Sequence, residues 1–122
     1  MKVAALLLCS ASLLFAQLRE GNFSIRFEPT AVMQSKVQVP FEIRVMDANS
    51  RPLTYANVDL EIARADGSHS AKFKAVAEDT IKLPGVYTAK PVFPEGGPWN
   101  VTARAERHNL ESNRTIQFNV QE

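Results

Sequence analysis

Two histidines, His69 and His108, and two methionines, Met33 and Met46, are the side chains of this 122-residue chain best suited to hold a soft or borderline metal ion. Cu(I) needs several soft donors on converging strands, and Cu(II) needs several imidazoles in a near-planar set. The histidines lie far apart in sequence, each in a stretch expected to be a loop. They share a site only if the 66–70 hairpin and the 108–113 loop are neighbours, with Met33 or Met46 completing the set. Met46 falls on the outward register of Glu42 and Arg44, near the surface. The expectation is a domain without a tightly bound cofactor, with copper at His69, His108, Met46 and Met33 as the alternative.

Other chemistries find less support. Cys9, the single cysteine, follows Leu6–Leu8, whereas a lipidation signal wants a small residue immediately before the cysteine. Glu28, Glu42, Asp47, Asp59, Glu61 and Glu95 alternate outward from strands or sit in turns, and no Asp-x-Asp-x-Asp-Gly calcium loop is present. No serine has the Gly-x-Ser-x-Gly setting of a nucleophile elbow. Gly96 and Gly97 precede a proline and a strand, the wrong context for a phosphate loop. The chain is therefore not expected to be an enzyme.

The elements that must position these residues are strands. Apolar residues alternate with polar ones at period two in Phe23–Phe27, Phe41–Val45, Val58–Ile62, Ala71–Ala75, Trp99–Ala105 and Ile116–Val120. Val86–Phe93 also reads as extended, with Pro91 forcing an edge or a bend. Turn chemistry separates the runs: Asp47–Pro52, Asp66-Gly67, Leu83-Pro84-Gly85, Pro94–Pro98 and His108–Asn113. About seven short strands at this spacing predict an all-β, immunoglobulin-like antiparallel β-sandwich over residues 22–121. Trp99, Tyr87, Phe41, Leu60, Phe73, Val101 and Phe118 are expected to share its core.

Ahead of the domain, Lys2 precedes an uncharged run, Val3–Ala16. The run is shorter than the roughly 20 residues of a membrane span and fits a signal peptide, residues 1–16, cleaved after Ala16. An uncleaved membrane anchor is the alternative. A periplasmic or secreted domain follows, and removal of Cys9 leaves it without disulfides, held by its core alone. The formal net charge of +1 lacks the basic excess of a nucleic-acid binder.

Several motifs occur together in order. Asp47-x-x-x-Arg51-Pro52-Leu53-x-x-Ala56-x-Val58 is followed by Pro84-Gly85-Val86-Tyr87, then by Gly97-Pro98-Trp99-Asn100-Val101-Thr102-Ala103 and Ile116-Gln117-Phe118-Asn119-Val120. Over residues 37–120 this resembles the YtkA-like family, small bacterial immunoglobulin-like sandwiches related to the FixH proteins. The resemblance implies an exported or membrane-anchored accessory protein, and several such proteins handle copper or assist oxidase assembly. Many carry Met-rich or His-containing strings between the Ala-x-Val strand and the Gly-x-Tyr turn. Here Glu61–Lys74 offers His69 and no methionine. The expected function is a non-catalytic accessory or binding module of the cell envelope acting through protein–protein contacts. A metal-handling role in oxidase assembly or efflux is the alternative. The loops Asp47–Pro52 and Pro94–Pro98 are the expected contact surfaces toward an envelope protein partner.

Overall fold

The computed structural model describes residues 19–122, and the expected signal peptide lies outside them. Among the described residues, nine strands form two sheets: β1 (Arg19–Glu20), β2 (Ser24–Pro29), β3 (Phe41–Met46), β4 (Asn57–Arg64), β5 (Ser70–Lys74), β6 (Val76–Ala77), β7 (Val86–Ala89), β8 (Gly97–Arg107) and β9 (Leu110–Val120). One sheet has the order β1-β9-β8-β4-β5 and the other β2-β3-β7-β6. All pairings are antiparallel except that of β1 with β9. The chain is an all-β sandwich. Six strands answer to the six alternating runs, and β7 answers to the extended segment Val86–Phe93. The two additions, β1 and β6, are two residues each, too short to carry a period.

Alternation places one face of each sheet inward. Phe41, Ile43 and Val45 of β3 face Val58, Leu60 and Ile62 of β4 and Trp99, Val101, Ala103 and Ala105 of β8, each at most 2% exposed. Burying a large apolar side chain of this kind contributes about 1.5–3 kcal/mol. An aromatic chain runs through the layer: Phe27 to Phe41, Phe41 to Phe118 at 5.6 Å, and Phe93 to Trp99 at 5.5 Å, the last two edge to face. Two expectations need correction. Phe73 and Phe118 are only partly buried against the core, and Ala71 is exposed. β5 is the edge of its sheet, so its inward positions meet a neighbour on one side only.

The polar turns follow their residue chemistry. Leu83-Pro84-Gly85 closes with the Val86 N–H donating to the Leu83 carbonyl and Gly85 at φ 77°, a type II turn. The loop expected over 108–113 is shorter. His108 and Asn109 both take positive φ, 53° and 64°, and turn the chain in two residues. Leu110–Asn113 consequently joins β9 and pairs with β8.

Tyr87 ties this architecture together. Its buried hydroxyl donates to the Leu53 carbonyl at 2.7 Å and accepts the Ala56 N–H at 3.1 Å. The crossing from β3 to β4 is thus pinned to β7. Tyr87→Phe should lower the unfolding free energy by about 1–3 kcal/mol, because it strands a carbonyl and an N–H in a largely dry site. Urea unfolding of the two proteins reads this directly.

Candidate interaction surface

The strand registers sort all loops to two ends of the sandwich. Asn57 pairs with Glu106 and Arg19 with Leu110, so the chain's described start, the 47–56 and 79–85 loops and the His108-Asn109 turn share the proximal end. Arg64 pairs with Trp99 and Gly97 with Val120, so the 30–39, 65–69 and 90–96 loops share the distal end.

This division separates the candidate donors. His69 is exposed in the distal β4–β5 connection, and His108 is exposed at the proximal turn. His108 lies nine residues along β8 from Trp99, the residue level with the β4–β5 connection, which places the two imidazoles about 30 Å apart. Met33 is distal, but its side chain is buried in the core while its carbonyl accepts the Gln121 N–H. Met46 is 37% exposed on the outer face of the four-stranded sheet, bridged to Pro52 at the proximal end. The four donors do not converge. Among the described residues, no group of three or more His, Cys, Asp or Glu side chains is arranged to hold a metal ion.

What the distal end does carry is a clamped loop. Trp99, the third residue of β8, is 1% exposed and closes the core. Its indole N–H donates to the Glu95 carbonyl at 3.0 Å. The Arg64 guanidinium lies 5.7 Å from the centre of the indole and pairs with the Glu95 carboxylate at 2.9 Å. The Gly96 N–H donates to the Glu122 carboxylate at 2.9 Å, and a side chain at Gly96 would stand 2.9 Å from the Val120 carbonyl oxygen. Residues 94–97 are thus held from both flanks. Exposed Val32, Val37 and Val92 lie at the same end, where the Lys36 N–H is bonded to the Phe93 carbonyl. Because Glu95 is half exposed, its ion pair contributes at most about 1 kcal/mol; its larger effect is geometric.

The other expected contact loop, Asp47–Pro52, is also set by its own side chain. Asp47 Oδ1 accepts the Asn49 and Arg51 N–H groups at 2.8 and 2.9 Å. The Arg51 N–H is the main reason that this carboxyl titrates below its ordinary range, followed among the lowering contacts by the Asn49 N–H.

On the outer face of the five-stranded sheet, Arg104 sits among three carboxylates. Glu111 is at 3.4 Å, Asp59 at 3.6 Å and Glu61 at 3.7 Å. Asp59 Oδ1 is buried and accepts no hydrogen bond. Desolvation raises the Asp59 carboxyl above 3.8, while Arg104 and Lys72 pull it back. A raised value means that the folded state holds this proton more tightly than the unfolded state. Its contribution to stability is therefore full at low pH and is lost as pH rises through the window above 3.8. Asp59→Asn should accordingly gain stability relative to the parent across that window and hold a constant difference above it, as read by urea midpoints over a pH series. A second charged region, a cleft of about 450 Å³ between β2 and β9, is lined by Arg26, Glu28, Glu42, Arg44 and Arg114. Its charges answer one another, with Arg44 bonded to Glu42 at 2.8 Å.

Arg64, Glu95 and Glu122 escape sequence reasoning, because only the β4–β8 and β8–β9 registers bring them together. The indole itself was legible as a core residue, because Trp99 opens an alternating run.

A family model described as YtkA-like matches residues 15–104. No curated protein matches the chain. Among solved structures, FetP of uropathogenic Escherichia coli strain F11, in its as-isolated form, is similar with a TM-score of 0.61 and 10% identity, over 85% of this chain and 91% of that one. A copper-bound variant of FetP gives a TM-score of 0.58 and 12% identity, over 84% and 91%. At these identities the likeness is one of fold.

Proposed function

The chain belongs to the YtkA-like family, and from that membership we propose that it is an exported, non-catalytic binding module of the cell envelope that acts through protein–protein contact. The observation that carries this reading is the clamped distal loop. Glu95 and Gly96 are fixed by Arg64, Trp99 and Glu122, and exposed valines share that end of the sandwich. A loop already ordered in the free protein loses little conformational freedom on binding, so a larger share of its contact energy appears as affinity. Export rests on the apolar run Val3–Ala16. Capture from envelope extracts tests the reading. The parent should retain a discrete partner, and Val32→Asp/Val92→Asp, altered only at exposed positions, should lose it. Equal retention by both, or none by either, contradicts it.

The copper-bound FetP variant gives a second reading, metal handling, a specific footing. The donors of this chain fit it poorly: one copy offers a single imidazole at each end, and Met33 is turned into the core. Titration of the protein with Cu(I) and Cu(II) against a competing chelator should give a dissociation constant of about 1 µM or weaker, near −8 kcal/mol. The His69→Ala variant should behave alike. Tighter binding that disappears in that variant makes metal handling the leading function.

A further inference from the structure

The proximal end carries apolar side chains that the fold leaves uncovered. Tyr55 is 78% exposed, Ile81 90% and Leu83 47%. They lie on two loops that meet, since a side chain at Gly85 would touch Pro52 at 2.8 Å. Neither loop is slack. Asp79 Oδ1 accepts the Ile81 and Lys82 N–H groups at 2.9 and 3.2 Å, and the Asp79 carbonyl accepts the Leu83 N–H. Ile81 is held outward on a fixed turn.

We infer that the proximal end is a bilayer-facing surface, with Tyr55, Ile81 and Leu83 seated among the headgroups and upper acyl chains of a phospholipid membrane. The chain begins its described course at this end. Arg19 pairs with Leu110 at this end, and only Gln17 and Leu18 separate it from the apolar run Val3–Ala16. That interval spans no more than about 10 Å of extended chain. During export, and for as long as the run stays uncleaved as an anchor, this end of the sandwich is held against the bilayer surface.

Separate aliphatic and aromatic side chains on loop tips, beside the exposed cation Lys82 and the Arg51–Asp47 ion pair at 3.5 Å, match the headgroup region of a bilayer. The nearby Asp47 and Asp79 carboxylates are engaged by their own loop N–H groups. The distal end differs: its exposed apolar residues are the smaller valines, set beside the Arg64–Glu95 ion pair and the Glu122 carboxylate. The molecule is thereby polarised, proximal end to lipid and distal end outward.

Fluorescence of the full chain in vesicles of phosphatidylethanolamine and phosphatidylglycerol tests the inference. Trp99 is buried at the distal end and supplies a constant background. Ile81→Trp places a reporter at the proposed contact, and Val92→Trp places one at the distal end. Ile81→Trp should show blue-shifted emission on vesicles and quenching by brominated lipid, with Val92→Trp quenched no more than the parent. Equal quenching of both variants, or none beyond the parent in Ile81→Trp, overturns the inference. So does a blue shift of Ile81→Trp that depends on protein concentration and not on lipid, which assigns the surface to a second copy of the chain.

Discussion

Trp99→Ala is expected to lower the unfolding free energy by about 3–5 kcal/mol, a large part of the roughly 5–15 kcal/mol that stabilises a domain of this size. The indole is 1% exposed and meets the Phe93 ring at 5.5 Å, so truncation opens a cavity whose walls are held by two sheets. It also removes the N–H that fixes the Glu95 carbonyl and the ring beneath Arg64. Both losses fall on the distal loop, so binding to a partner should weaken along with stability. The denaturant midpoint checks the first effect. An unchanged midpoint would mean that the indole does not close the core.

Gly85→Ala is expected to cost about 2–5 kcal/mol, combining two penalties at one position. At φ 77° an L-residue loses about 1–2 kcal/mol. A Cβ here would also stand 2.8 Å from the Pro52 Cβ and 2.9 Å from the Val45 carbonyl oxygen. That oxygen already accepts the Leu53 N–H, and the Gly85 carbonyl accepts the Val45 N–H, so neither neighbour can withdraw cheaply. Overpacking of this kind typically adds about 1–3 kcal/mol. Gly67→Ala is the natural control: its φ is 81°, but nothing lies within 4 Å of the added atom. It should show the conformational penalty alone. Thermal or urea unfolding of the pair separates the two terms, and equal losses would remove the steric argument.

The sandwich was legible in the sequence because most of its strands present one face inward, and a half-buried strand declares itself at period two. Phe41–Val45 and Trp99–Ala105 could scarcely be read otherwise. Leu83-Pro84-Gly85 was legible for a different reason, since Pro and Gly at those positions specify the turn through φ alone. The failures share a cause. Phe73 and Ala71 follow the apolar alternation, yet alternation says nothing of whether a strand is central or at an edge. His108 and Asn109 could be placed in a turn but not counted, because the length of a hairpin depends on how far its two strands stay paired.

The candidate site was less legible than the fold. The spacing of His69 and His108 leaves open whether they meet; the β4–β8 register sends them to opposite ends. The clamp of Arg64, Glu95 and Glu122 is assembled from the end of β4, the loop before β8 and the residues after β9, and each residue by itself reads as an ordinary surface charge. Ile81 and Leu83 sit in a segment without periodicity, where an apolar residue is equally consistent with burial and with exposure.

The claim that this module binds a partner through its distal end is tested most directly by photo-crosslinking in intact cells of the native host. A photoreactive residue at Pro94, on the clamped loop, should give one discrete adduct with an envelope protein. The same residue at Gln117, exposed on the outer face of β9, should give none. No adduct from Pro94, or the same adduct from Gln117, would contradict the account.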